Sequence, residues 1–203
     1  MSVSEVQICN FGLAKFGDKS ITTITPPLSS KEERICALVY PILRDQLTYS
    51  YPWNFAMRRA DISAQISATP AFQWDYAYTL PTDPLCLRVW ELFDSDAEWV
   101  VEHGEFLTNQ DEEIYIRYIS QITETGRFSP AYVNCLATLI GAELAPRLMG
   151  DGGTKVRLEL LSELNQILIP NAQSLNAMEG NGPRHKDMQP LDQGNFSWQT
   201  EGR

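Results

Sequence analysis

His103 and His185 are the only imidazoles in the chain, so acid–base chemistry near neutral pH would start from one of them. His103 stands in Glu102-His103-Gly104-Glu105, where a neighbouring carboxylate could orient the ring as in a hydrolytic site. The same four residues read more simply as a solvated corner between two strands. His185 lies in a stretch punctuated by Gly180, Gly182, Pro183 and Pro190, with no periodic element to hold it. Asp94-x-Asp96 and Asp111-Glu112-Glu113 are acidic enough to attract a divalent cation. Neither has the glycine placement and distal bidentate glutamate of a calcium loop, and both read as turns. Gly150-Asp151-Gly152-Gly153-Thr154-Lys155 has the glycines of a phosphate loop but not its Gly-Lys-Ser/Thr order. A helical pattern, not a strand, precedes it, so it reads as a helix–helix turn with Gly150 closing one helix and Thr154 opening the next.

The four cysteines, Cys9, Cys36, Cys86 and Cys135, are far apart and form no CxxC pair. Three sit in helical patterns among apolar neighbours, which predicts buried, reduced thiols acting as small hydrophobes. No catalytic set, metal cluster or cofactor motif emerges, and the expectation is a protein that is not an enzyme.

The charge balance narrows the partners. Twenty-six acidic against 16 basic residues give a formal charge of −10, whereas a surface that grips DNA by neutralising phosphates needs the opposite excess. Arg58-Arg59 is the only basic doublet. The first residues have neither a basic head nor a continuous apolar run, so no signal peptide is expected. The most apolar stretch, Cys135 to Ala145, is interrupted by Thr138, Gly141 and Glu143 and is too short to span a bilayer. The expectation is a soluble protein, made in the cytosol, with no membrane partner.

The elements that would position these residues fall into two textures. Residues 3–17 read as a helix capped by Ser2 with Glu5, carrying Val6, Cys9, Leu13 and Phe16 on one face and stopped by Gly17. After a loop over 18–29, residues 31–50 read as a second helix with a Ser30–Glu33 capping box. Its inward face is expected to be Ile35, Leu38, Val39, Ile42 and Leu43, with Leu47 near the edge. Pro41 predicts a kink or a break near Tyr40. Helical spacing returns at 129–149, with Ser129 as N-cap, Pro130 in the first position and Tyr132, Leu136, Ile140 and Leu144 facing inward. A fourth helix is expected over 154–170, burying Val156, Leu160, Leu164, Ile167 and Leu168.

Between the helices the period changes to alternation. Ala77, Thr79, Leu85, Leu87, Val89, Trp99, Val101, Ile114, Tyr115 and Ile116 belong to short β-branched and aromatic stretches. Turn signals separate them at Thr69-Pro70, Pro81-Thr82-Asp83-Pro84, Asp94-Ser95-Asp96 and His103-Gly104. The fold class expected is α+β: an antiparallel helical bundle with an inserted, small antiparallel β-module of four to six strands and an extended C-terminal arm. The divisions are 1–53 for the first two helices, 54–120 for the β-module, 121–178 for the last two helices and 179–203 for the arm. Trp53 and Phe55, directly after the bend that Pro52 imposes, are expected to weld the module to the bundle. The polar arm ends in Phe196 and Trp198, two large anchors suited to a partner surface, with Arg203 as a polar contact.

Several of these segments, in order, carry a resemblance. Tyr51-Pro52-Trp53-Asn54-Phe55-Ala56, then Arg58-Arg59-Ala60, then Trp74 through Asp83 (WDYAYTLPTD), then Leu85-Cys86-Leu87-Arg88-Val89 are similar to the tail tubular protein A family, head-to-tail adaptors of short-tailed bacteriophages. Phe128-Ser129-Pro130, the helix with Cys135-Leu136-Ala137 and Leu144-Ala145-Pro146, and the terminal Ser197-Trp198 with Arg203 extend the likeness from Ser30 onward. Pro41 and the loosely punctuated tail depart from the pattern. The resemblance implies a virion protein assembled in the host cytoplasm. It implies a dodecameric ring of this chain between the portal protein and a tubular-protein-B-like tail nozzle, its C-terminal arm reaching up the portal. DNA would cross the channel without specific binding, and an acidic wall suits that passage. The alternatives are a small hydrolase using His103 and a soluble phage-encoded regulatory binding module.

Overall fold

The computed structural model describes residues 3–63, 70–93, 97–111 and 114–180. Among the described residues, five α-helices and two small antiparallel sheets make a mixed α/β fold, with the sheets between the second and third helices in chain order.

Helix α1 (Glu5–Ala14) begins two residues later than a Ser2 cap would place it. Ser4 is the N-cap: its Oγ accepts from the Gln7 N–H at 3.2 Å, and Gln7 Oε1 accepts from the Ser4 N–H at 2.8 Å. Both otherwise orphaned donors are satisfied. The chain leaves α1 through Gly17 at φ 77°, with the Asp18 N–H reaching back to the Leu13 carbonyl.

Helix α2 (Lys31–Ser50) has the Ser30–Glu33 capping box and runs unbroken through Pro41. Its inward face differs from the expected one. Cys36, Val39, Tyr40, Leu43, Leu47 and Thr48 are buried, whereas Leu38 and Ile42 point outward and Ile35 is half-buried. Apolar residues occupy more than half the circumference, so periodicity alone could not choose the face.

Helix α3 (Pro130–Met149) is the centre of the bundle. Ser129 caps it, accepting from the Tyr132 N–H, and Tyr132, Leu136, Ile140 and Leu144 are all fully buried. Helices α1, α2, α4 (Gly153–Glu163) and α5 (Ile169–Gly180) each pack on it. At one crossing two glycines let backbones touch: a Cβ on Gly12 would lie 2.8 Å from the Ala137 carbonyl oxygen, and one on Gly141 would lie 2.8 Å from the Gly12 oxygen.

Gly150-Asp151-Gly152 is the 3₁₀ turn joining α3 to α4, a helix–helix connection as the sequence suggested. Thr154 does not cap α4, because the helix already begins at Gly153 with Gly152 before it and no side-chain cap. The fourth helical segment also does not stop near 170. A π-helical stretch, Leu164–Leu168, joins α4 to α5, and the Ile169 N–H bonds to the Leu164 carbonyl five residues back. Pro170 follows, lacking the donor that a regular turn would require. The wider turn shifts the helix phase. Leu160 and Leu164 are buried, Val156 and Leu168 half-buried, and Ile167 faces outward, against expectation. Helix continues through residues 171–180, past the expected end of the fourth helix and two residues into the expected arm.

The first sheet has the order β1 (Met57–Asp61), β6 (Tyr115–Ser120), β3 (Cys86–Leu92); the second has β2 (Tyr76–Thr79), β5 (Glu105–Thr108), β4 (Trp99–Glu102). Every pairing is antiparallel. A small core of Ile62, Tyr78, Val89, Phe106, Ile114, Ile116 and Tyr118 lies with the sheets. Strand alternation lets β6 serve two cores: Ile116 and Tyr118 join this one, while Ile119 joins the bundle core with Trp53, Ala56 and Tyr132.

Candidate functional site

The junction where the first sheet meets the bundle is the best-built cluster in the molecule. Pro52 follows α2, and Trp53 buries almost completely against the helices. Its ring meets Tyr51 at 5.0 Å and Tyr132 at 5.3 Å between centroids, both edge-on; Phe55 meets Tyr132 at 4.9 Å and Phe128 at 5.5 Å. Trp53 and Tyr132 each have a partner for the polar tip. Trp53 Nε1 donates to the Leu47 carbonyl at 3.0 Å, in the last turn of α2, where carbonyls lack helical donors. The Tyr132 hydroxyl sits 3.0 Å from the Arg44 carbonyl and 2.7 Å from Thr48 Oγ1. Burial pushes the Tyr132 phenol far above its ordinary range, so it stays a neutral donor. The expected welding role of Trp53 and Phe55 is what the contacts show.

A second clasp closes the same junction from the far end of the chain. The Asn54 N–H donates to Asn176 Oδ1 at 2.8 Å, and Asn54 Nδ2 donates to the Asn176 carbonyl at 2.6 Å. Asn176, on α5, is buried. The pair ties residues 122 apart in sequence, and nothing in periodicity announces it.

Loop 18–29 is held by Glu33. Its carboxylate accepts from the Ser29 N–H at 2.8 Å, Ser29 Oγ at 3.0 Å, the Ser30 N–H at 3.1 Å and Thr22 Oγ1 at 3.1 Å. Those donors, the two backbone N–H groups foremost, hold the carboxyl down at about 2.

Of the residues singled out for chemistry, His103, Asp111 and residues 150–155 are among those described. His103, at φ 53°, and Gly104, at φ 79°, form the two-residue turn of the β4–β5 hairpin, the pairing that type I′ turns require. The imidazole is exposed there, between Glu102 and Glu105. Asp111 is exposed. Asp94, Asp96, Glu112, Glu113, His185, Phe196, Trp198 and Arg203 lie outside the described residues. No group of three metal-ligating side chains occurs among the described residues, and no described helix is long and apolar enough to cross a membrane.

The cysteines are free; Cys9, Cys36 and Cys135 are buried and Cys86 half-buried. Contact with the Cys36 sulfur and burial push the Cys9 thiol up, and burial raises Cys86 and Cys135 to about 11. All three remain protonated near neutrality, which suits packing rather than nucleophilic attack.

What the structure does expose is apolar surface, including Leu38, Ile42 and Ile167, whose spacing predicts burial. On α2, Leu38, Ile42 and Tyr49 face outward. Beside Tyr49, the Arg88 guanidinium of β3 lies 5.2 Å from the Tyr49 ring and 5.1 Å from the exposed Trp90 ring. Between α2 and α3 lies a groove of about 350 Å³, lined by Leu38, Ile42, Gln46, Glu143 and Arg147. A second groove, of about 390 Å³, lies at β1 and β6 of the first sheet, lined by Phe93, Tyr115, Ala60, Ile116, Arg59, Asp61 and Arg117. Arg117 is paired with Glu91 at 2.7 Å. Ile167, Leu175 and Met178 are exposed along the π segment and α5. No family model matches the chain, and no curated protein matches it.

Proposed function

We propose that the protein is a structural subunit of a short-tailed phage particle, a head-to-tail adaptor that bridges portal and tail nozzle and lines part of the DNA channel. The observation that carries the reading is the ordered set of segments from Tyr51-Pro52-Trp53-Asn54-Phe55-Ala56 to Phe128-Ser129-Pro130, which resembles the tail tubular protein A family. Two features support it. The same segments supply the aromatic junction of sheet and bundle, Trp53 and Phe55 against Phe128 and Tyr132, so the likeness falls on residues that set the architecture. The helical bundle interrupted by antiparallel strands also agrees with the architecture the resemblance implies.

Mechanism in such a protein is assembly and conduction. Subunits close a ring through head-to-tail contacts, and an arm that orders on docking covers a large surface while losing entropy only then. The direct test mixes the full chain with the portal of the phage that encodes it and measures mass by light scattering. A complex of portal and many copies of this chain is expected; two non-interacting species would sink the reading. Removing residues 181–203 from the same mixture should leave the unfolding midpoint of the free subunit unchanged and weaken portal attachment. Phe196→Ala and Trp198→Ala should each cost about 2–4 kcal/mol of attachment. A fall of several degrees in the midpoint on truncation would assign those aromatics to the subunit's own core instead.

A further inference from the structure

Two exposed apolar stripes on different helices match each other in length and oppose each other in charge. On α2, Leu38, Ile42 and Tyr49 stand at positions i, i+4 and i+11 and are 61%, 59% and 49% exposed. Along the π segment and α5, Ile167, Leu175 and Met178 stand at i, i+8 and i+11 and are 61%, 46% and 70% exposed, with exposed Asn171 at i+4. Each stripe spans 11 residues, about 16 Å of helix. Both helices pack on α3, but Leu38 and Ile42 border a groove with Glu143 and Arg147 near its C-terminal end, whereas Leu175 and Met178 border one with Ser129, Pro130 and Ala131 at its N-terminal end, so one subunit holds these two pairs of apolar side chains at opposite ends of α3.

The ends of the stripes carry charge of opposite sign. Arg34, exposed, lies one turn before Leu38, and Arg88 lies beside Tyr49 at the other end. Glu163, 3.8 Å from the Lys15 ammonium and with its side chain 43% exposed, lies one turn before Ile167, and Glu179, exposed, follows Met178. Pairing α2 with α2 would set arginines against arginines, and pairing α5 with α5 would set glutamates against glutamates. Only α2 against α5 is favourable at both ends, whichever way the helices run, and their dipoles favour the antiparallel arrangement.

We propose that the occupant of the α2 stripe is the α5 stripe of a second copy of this chain. The contact is heterologous: each copy offers one stripe forward and one behind, so repetition yields a ring or an open filament and not a closed dimer. The inference rests on the adaptor reading for the ring it would build, but the contact itself is tested without any portal.

The experiment uses the full chain in sedimentation velocity over a concentration series, with two variants, Leu38→Glu/Ile42→Glu and Leu175→Glu/Met178→Glu. All four side chains are exposed, so circular dichroism and unfolding midpoint should be unchanged, which checks the fold of each variant. The unmodified chain should assemble beyond a dimer as concentration rises. Each variant alone should remain monomeric, its dissociation constant weakened by about thirtyfold or more. An equimolar mixture of the two should form a dimer and stop, because each variant keeps one working stripe. A chain that stays monomeric to its solubility limit overturns the proposal, and so does assembly indifferent to both variants. A mixture that stays monomeric while each variant is folded also overturns it, since it denies the α2–α5 pairing. Portal binding by a chain whose self-assembly ignores these variants would leave the adaptor reading standing while this contact falls.

Discussion

At the scale of single residues, Glu33 shows how a side chain can be legible in one role and hidden in another. The Ser30–Glu33 spacing announced a capping box. It did not announce that the same carboxylate gathers Ser29 and Thr22 and so fastens the preceding loop. Those bonds favour the ionised form, lowering its pKa from the ordinary 4.5 to about 2. A group whose folded pKa is depressed contributes stability that is complete above its unfolded pKa and lost as pH falls through the folded one. The unmodified chain should therefore lose stability between about pH 5 and pH 2, and Glu33→Gln, less stable at neutral pH, should lose less over that window. Unfolding midpoints of the two proteins that fall in parallel with pH would show that the carboxylate contributes nothing to the acid limb. The candidate site residues were legible unevenly for a similar reason. Trp53 and Phe55 were found because a proline bend followed by large rings has few other uses. The Asn54–Asn176 clasp and the Tyr49–Arg88–Trp90 stack join distant parts of the chain, and their polar or cationic members look like ordinary surface in a linear reading.

At the scale of elements, starts were easier to read than faces. Ser30 and Ser129 cap helices where their spacing says they should, whereas Ser4 displaced Ser2 because Gln7 could return the bond. On α2 the larger aliphatics, Leu38 and Ile42, looked like the core, but the buried side uses Cys36, Tyr40 and Thr48. Those residues fit under α3, where Tyr132 also needs a hydroxyl partner. Strand β1, Met-Arg-Arg-Ala-Asp, has no β-branched residue and becomes a strand only through its register with β6. The α1–α3 crossing gives a test in which two effects compete. By helix propensity alone, Gly12→Ala within α1 would gain about 1 kcal/mol. The new Cβ would lie 2.8 Å from the Ala137 oxygen and 3.0 Å from Ile140 Cγ2, atoms held by the central helix. Sterics should win: a net loss of about 1–3 kcal/mol is expected, read as a midpoint lowered by about 2–4 °C per kcal/mol. Gly152→Ala, whose Cβ meets nothing within 4 Å, serves as the control and should be close to neutral. Stabilisation by Gly12→Ala would mean that the helices do not approach as closely as described.

At the scale of the whole molecule, net charge and its placement decide how the protein meets DNA. A charge of −10 does not by itself forbid a basic face, so the arginines must be traced one by one. Arg117 is paired with Glu91, Arg127 with Glu124, and Arg147 and Arg157 both reach Glu143. Arg44 is buried beside Asp45, Arg88 lies between two rings, and Arg34, exposed, donates to the Ser29 carbonyl at 3.4 Å. Arg58 and Arg59, adjacent on β1 and exposed, are the densest cationic feature among the described residues, but alternation sends them to opposite faces of the strand. Binding a duplex releases counterions in proportion to the phosphates neutralised, and one or two such contacts change the salt slope by only about 1–2. Duplex DNA should therefore bind no more tightly than about micromolar in about 0.15 M salt. Weak binding seen at lower salt should decay with a shallow slope, and Arg58→Ala/Arg59→Ala should flatten it further. Fluorescence anisotropy with a labelled duplex, repeated across a salt series, measures both quantities. Sub-micromolar affinity with a steep slope would require five or more cations on one face. That would exclude a wall along which DNA slides freely, and with it the conducting role proposed for the ring's interior.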